Sequence, residues 1–398
     1  MTTTIKKSVL SDLVSRHSNF DFDEHMATKT PDEYDVWNGF CLPLHYSDPA
    51  KEYQTLRETC AIFDASPMKK YRITGTNAGS FLDIILTAPV SQLPSMKAAY
   101  GLICDEQGYL IDDGIVNKFT NDDYLLLTTE LDLSDHFAKY NDFADLSIVD
   151  ETPLTAGIAI QGPKSCQVMQ QMGFNGVEAL APFELAYFDL SGHQIVVGRL
   201  GFTGDLGYEV WFKPDAIATV TNAVNNAEHA LNIKMLGYGL TTVNICRIEA
   251  AMIVPGWDTA GSFDDLNNER TPFELTLGWN VKLASEHNFV GKSALTKLKA
   301  QGPRFRMRGI KISKQCALED GQALYATIDG ETIQLGSLPS IVWHDNEQYW
   351  LGYASMITDC ASIEDVFVIC NETEKSINGN ICQLPFIDLP YRNQVPAI

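Results

Sequence analysis

The chain has 398 residues, 45% of them apolar and 20% charged, with a net charge of −22. That length allows two or three domains with real cores, and the apolar share excludes a disordered or collagen-like chain. So acidic a protein does not hold nucleic-acid phosphates or an anionic membrane surface by bulk charge, so neither is an expected partner. Nine cysteines make no C-x-x-C pair and lie in apolar contexts such as the stretch ending at Cys370. That is the pattern of buried thiols in a reducing cytoplasm. No histidine pair has zinc spacing, residues 1–10 lack an apolar signal core, and no apolar run approaches the ~18 residues of a membrane span.

In chain order, residues 48–60 read as a short helix, 69–73 as a strand, and 77–86 as a helix with Phe81, Leu82, Ile85 and Leu86 on one side. Asp105-Glu106-Gln107-Gly108 has hairpin-loop composition, ending on the glycine that a positive φ needs. The outgoing strand is 109–113, with 124–128 as a neighbour. Residues 157–161 are an apolar strand, after which Gly162-Pro163 opens a helix that Gly173 stops. Strands follow at 193–200 and 208–212. Pro214-Asp215 then opens a helix whose Ile217, Val220, Val224, Ala227 and Leu231 keep a 3.6-residue period. A helix over 292–299 ends before Gly302-Pro303. Beyond Arg304 strand-like runs dominate (308–312, 332–335, 340–343, 349–354, 366–370), so a β-rich C-terminal domain begins near residue 300.

Four stretches could carry chemistry. In Ile111-Asp112-Asp113-Gly114, strand alternation lets only one aspartate face an interior, where it could hold a cationic reactant; the alternative is two solvated acids. In Gly198 to Glu209, glycines at 198, 201, 204 and 207 would let the backbone approach a ligand, and Glu209 is out of pattern in an apolar strand. Glu209 either meets a partner there or faces water at a strand edge. Arg247, within Cys246-Arg-Ile-Glu-Ala250, could fork onto a ligand carboxylate or onto a protein one. Arg304 to Lys314 puts five positive charges on an alternating strand, either a charged edge strand or an attractor for an anionic tail. No G-x-S-x-G elbow and no Walker A motif is present. Alone, these residues describe a mixed α/β enzyme or binding protein with an anion-tolerant site.

Taken in order, the stretches resemble the glycine-cleavage T-protein (aminomethyltransferase) family of tetrahydrofolate-dependent one-carbon transferases. The carriers are Trp37-Asn-Gly-Phe-Cys-Leu-Pro-Leu-His-Tyr46, Ile62-Phe-Asp-Ala-Ser-Pro-Met68 after Arg57, Gly108-Tyr-Leu-Ile-Asp-Asp113 and Gln161-Gly-Pro163. They continue with Gly201-Phe-Thr-Gly-Asp-Leu-Gly-Tyr-Glu209, Arg247-Ile-Glu-Ala250, Leu277-Gly-Trp279 after Pro272, and Phe289-Val-Gly-Lys292.

The resemblance implies an α+β fold, a three-domain cloverleaf around a central folate channel. Two discontinuous α+β domains (1–68 with 153–238, and 69–152 with 239–298) would precede a C-terminal β-barrel domain (299–398). It implies Asp112 as the catalytic group beside the reacting folate amine, and Glu209 as the bidentate acceptor for the pterin edge. Met68, Tyr100 and Phe202 would wall the pterin and its aryl ring, Thr129 would stand at the pterin side, Arg247 would meet the folate glutamate, and Trp279 would be a nearby wall. The chain departs from the family at Pro67, Thr129, Phe202, Thr242-Val243-Asn244 and Ala251. These departures bear on the lipoyl-borne substrate, and together with Ser66-Pro-Met-Lys-Lys-Tyr71, Cys104-Asp-Glu-Gln-Gly108 and Arg247-Ile-Glu-Ala250 they resemble the branch of tetrahydrofolate-dependent demethylases, which take methyl from a small O-, N- or S-methyl donor. The alternatives are a glycine-cleavage aminomethyltransferase served by a lipoyl carrier protein, and a folate-binding protein without transfer activity.

Overall fold

In the computed structural model, residues 5–28, 33–129, 131–259, 269–313, 317–392 and 394–395 are described. Two five-stranded antiparallel sheets and a barrel carry the fold. The first sheet runs, from edge to edge, Leu185–Leu190, His193–Gly198, Gly207–Phe212, Ala156–Gln161, Ala61–Asp64. The second runs Lys97–Cys104, Leu110–Thr120, Asp123–Thr128, Lys69–Thr74, Ser147–Asp150. The chain therefore enters the first sheet with one strand, makes the whole second sheet, and returns to the first at Ala156. Local pattern cannot announce such a return, because each strand alternates in the same way wherever its partner lies in sequence.

The barrel follows the order Phe305–Ser313, Ser376–Cys382, Asp365–Ile369, Gln322–Ile328, Glu331–Leu338, Tyr349–Ile357, and closes where the last strand pairs with the first. Ile341–His344 hangs on its outside against Tyr349–Ile357. The basic strand is thus bonded on both sides, to Tyr349–Ile357 and to Ser376–Cys382, and is no edge. Closure removes the edge, so its charges serve no edge-protecting purpose. Arg304 bonds Glu274 at 2.8 Å, and Lys311 lies 4.5 Å from the ring centroid of Tyr349. Lys314 and Cys316 lie outside the described residues. The eight described cysteines are free thiols, six of them buried. No described helix is long and apolar enough to cross a membrane.

Helices cover the sheets with the stripes read from sequence. Helix Ile217–Leu231 buries Val220, Ala223, Val224 and Ala227 and ends on Asn232 in the left-handed region (φ +47°). Helix Ala78–Ile85 sets Phe81, Leu82 and Ile85 against Tyr71, Ile73, Val116 and Leu126. The helix expected to open at Pro163 starts at Ser165. Gly162, at φ +125° with its N–H bonded to Leu206, spends the intervening residues on a turn.

Two seams join the layers. Leu125 and Leu127 of the second sheet meet Leu185, Leu200 and Trp211 of the first. Helix Leu240–Glu249 sits between Leu102 and Leu110 of the second sheet and Met307 and Tyr353 of the barrel. These seams surround the residues singled out above.

Candidate active site

Asp112 and Asp113 lie on the strand Leu110–Thr120, 1% and 8% exposed. The expectation that only one faces an interior fails because the sheet is covered on both sides, by helix Ala78–Ile85 on one and by helix Leu240–Glu249 on the other. Asp112 Oδ1 accepts from Thr129 Oγ1 at 3.2 Å and from the Asp113 N–H at 2.9 Å. The carboxylate lines a cavity of about 440 Å³ with Trp37, Thr129, Asp132 and the segment Val254 to Trp257. The indoles of Trp37 and Trp257 meet edge to face, with centroids 6.0 Å apart. Asp113 accepts from Tyr100 Oη at 2.5 Å. Burial, and then the neighbouring Asp112, push its carboxyl up to about 8, against the pull of that hydrogen bond. The Tyr100 ring stacks on Trp279, which is 63% exposed, at 5.9 Å and 25°.

Glu209 stands on the central strand Gly207–Phe212 of the first sheet. Desolvation pushes its carboxyl up to about 7, with the neighbouring Trp211 indole pulling the other way, although the indole N–H makes no hydrogen bond of normal geometry among the described residues. Trp211 occupies a slot that Gly157 leaves, since a Cβ there would lie 2.0 Å from the ring. Met68 packs in the same cluster as Trp211. Asn38 ties this side to the aspartates: its Nδ2 donates to Pro67 O at 2.7 Å and to Thr129 O at 3.4 Å. The glycines of the 198–209 stretch admit protein instead of ligand. Gly201 and Gly207 make room for the buried Gln161 side chain, which bonds Leu200 O and Thr203 Oγ1. Phe202 is 40% exposed.

Arg247 lies behind Trp257, one wall of this cavity. It is fully buried, its Nη1 bonds Asp258, its Nε donates to Asn244 at 2.7 Å, and Trp257 and Tyr353 flank its guanidinium. Of the two readings for this arginine, the structure shows the protein carboxylate. Asp258 is in turn saturated by the Val254 N–H at 2.7 Å and Ser340 Oγ at 2.5 Å. The structure thus gathers Asp112 with Thr129, ties Met68 to them, stacks Tyr100 on Trp279, and leaves Arg247 in the core. The sequence reading missed Asn38 and Trp257 as parts of the site and gave Trp37 no role there. The available signal was Asn38-Gly39, a two-residue hairpin turn with both φ positive (+50° and +78°), which fixes Trp37 and Asn38 side by side.

A model of the GCVT N-terminal domain matches residues 25–285. The chain belongs to this family. Among GCVT relatives, an aminomethyltransferase of Thermotoga maritima is 30% identical over 269 residues, covering 67% of this chain and 71% of its own. One from Halothermothrix orenii is 26% identical over 353 residues, covering 88% and 95%. The glycine cleavage system aminomethyltransferase T of Bartonella henselae superposes with a TM-score of 0.78 at 19% identity, covering 98% of this chain and 99% of that one. The α+β cloverleaf with a terminal barrel is therefore the GCVT fold here too, and the chain is an enzyme of this transferase family.

Proposed function

We propose that this GCVT-family enzyme moves the methylene carbon of an aminomethyl group from a lipoyl carrier protein to tetrahydrofolate, the amine leaving as ammonia, within the three-lobed division drawn from the sequence. The observation that carries this reading is the likeness to proteins named aminomethyltransferase over up to 88% of the chain. Comparisons favour this over demethylation, the branch to which the sequence departures point. Tetrahydrofolate would supply the amine that accepts the carbon. The residues present fit it: an ionised Glu209 accepts only, and the pterin edge offers two parallel N–H donors. Those donors would meet a carboxylate that stays part-exposed on its strand. Met68 and Phe202 would wall the ring, and Tyr100 and Trp279 would form a stacked wall beside it.

Asp112 would hold the cationic amine of the donor and stabilise positive charge as the carbon moves, with Thr129 fixing the carboxylate. Asp113 keeps its proton to about pH 8, so at neutral pH it adds no second charge beside Asp112. Arg247 has no part in this reading, because Asp258 takes its guanidinium.

One observation favours a methyl donor instead: Thr129, where the family has asparagine, is the side chain that bonds Asp112. The mass of the folate product separates the readings. 5,10-Methylene-tetrahydrofolate formed with ammonia from an aminomethyl-lipoyl carrier supports the proposal, and 5-methyl-tetrahydrofolate from a methylated donor replaces it with demethylation. Folate binding with no product from any donor leaves a binding protein. In the active enzyme, Asp112→Asn is expected to lower kcat about 10²–10³-fold, with the folate Kd little changed.

A further inference from the structure

Lys70 is fully buried on the strand Lys69–Thr74, yet no reading of the site so far uses it. Its Nζ donates to Ser66 O at 2.7 Å and to Met68 O at 2.6 Å, the two carbonyls flanking Pro67. The same ammonium lies 5.6 Å from the centroid of Trp211, the ring beside Glu209. Other groups hold the turn from its far side. Asp64 accepts the Ser66 N–H at 2.9 Å, Ser66 Oγ accepts the Gly157 N–H at 3.1 Å, and Asn38 holds Pro67 O. Among the described residues, Lys70 is therefore the side chain that contacts both carbonyls of the Met68 turn and the ring of Trp211.

We propose that Lys70 is the positioning residue of the pterin wall: its ammonium gathers the carbonyls of Ser66 and Met68 and sets Met68 and Trp211 beside Glu209, and loss of its proton releases that turn. This rests on the reading of Met68 and Glu209 as pterin contacts. The geometry suits a charged donor, since hydrogen bonds from an ammonium are stronger than neutral ones, and a neutral amine two carbonyls away from water holds them weakly. The clamp is also within reach of titration. Burial pulls the Lys70 ammonium down to about 7; Asp64 and Asp150 hold it up, and Lys69 lowers it further. Asp64 is itself raised by burial, and Glu209 stands beyond Trp211.

Glu209 and Lys70 then impose opposite limbs on folate affinity. Ionisation of Glu209 favours binding as pH rises, and deprotonation of Lys70 opposes it. The test is the tetrahydrofolate Kd across the neutral range, by calorimetry, for the wild type, Lys70→Met, Lys70→Gln and Glu209→Gln. The wild type is expected to be bell-shaped, Glu209→Gln to keep only the falling limb, and Lys70→Met only the rising one. At neutral pH Lys70→Met should bind roughly tenfold more weakly, and Lys70→Gln, a neutral donor, should recover part of that loss without the falling limb. Wild-type affinity with an intact falling limb in Lys70→Met overturns the proposal. If Lys70→Met does not fold, a falling limb that persists in Lys70→Gln does the same. Failure of the wild type to bind tetrahydrofolate at any pH defeats the folate reading. The clamp is then judged by backbone amide exchange of residues 65–69 in the free protein: faster exchange in Lys70→Gln than in the wild type supports it, and equal exchange overturns it.

Discussion

Glu209 and Glu249 are both carboxylates whose surroundings disfavour charge, Glu249 buried and Glu209 part-exposed, and their neighbours treat them in opposite ways. Burial raises both. At Glu249 that push is outweighed by His344, Arg57 and Tyr53, which bond it at 3.3, 2.7 and 2.8 Å, and its carboxyl ends below the usual range. At Glu209 only the Trp211 indole opposes burial, and the carboxyl ends at about 7. A satisfied carboxylate holds the fold together. One that is only partly shielded and has few donors of its own is open to those of a ligand, and this separates a structural acid from a ligand-binding one more sharply than burial alone.

The largest expected effects break the satisfied side. Glu249→Gln should cost up to about 3–5 kcal/mol of stability, because it takes from the buried Arg57 its nearer carboxylate and leaves only Asp205, at 3.7 Å. Chemical denaturation should show this as a lowered midpoint, with the folate Kd of the folded fraction unchanged. Arg247→Met should cost a similar ~3–5 kcal/mol by stranding Asp258. A stable Arg247→Met protein that had lost folate affinity would instead restore this arginine to the ligand site. Glu209→Gln should do the reverse of both. Folate affinity should fall about 10–100-fold, the worth of a hydrogen bond to a charged acceptor, with stability at neutral pH unchanged or raised.

The two acids also predict opposite slopes with pH. Glu209 is raised, so its contribution to stability is complete below the unfolded value near 4.5 and is lost as pH rises towards 7. Glu249 is lowered, so its contribution is present above that value and is lost as pH falls through its folded pKa. Subtracting denaturation curves of Glu209→Gln and Glu249→Gln from the wild type at several pH values should give slopes of opposite sign. Folate binding near neutral pH should release a proton as Glu209 ionises, visible as a buffer-dependent binding enthalpy that Glu209→Gln lacks.

Sequence made the two glutamates look alike, since each is an acid interrupting an apolar run. What separates them comes from afar: Tyr53 and Arg57 of helix Pro49–Glu58 and His344 of strand Ile341–His344 reach Glu249 from two distant elements. The hairpin ending at Gly108, the Val220 to Ala227 stripe and the barrel strands were legible because alternation or a 3.6-residue period survives in each. Helix Leu240–Glu249 was not, because it is buried almost all round and has no polar face to set a period. Strand Ser376–Cys382 was also hidden, its Ser-Ile-Asn-Gly-Asn run poor in strand formers. Gly379 lets the Ile310 side chain pack close, since a Cβ there would lie 2.8 Å from Ile310 Cδ1 and that chain end would have to shift. The glycines at 201 and 207 were legible as a close approach, but what approaches is Gln161, a residue some forty positions away.

The smallest effect probes the one group that keeps Glu209 from being more unusual than it is. In Trp211→Phe the indole N–H is lost while an aromatic ring remains over Gly157. Burial then acts on Glu209 with less opposition, so its carboxyl should rise further. The indole N–H of Trp211 makes no hydrogen bond of normal geometry among the described residues, so its pull acts through space. The rising limb of the folate-affinity profile should therefore move up by less than the roughly one pH unit that a full neutral hydrogen bond would give. Because the Lys70 ammonium also lies near this ring, the falling limb is the internal control. A shift confined to the rising limb assigns the indole to Glu209, and a limb that stays at about 7 would show that burial alone sets this carboxyl.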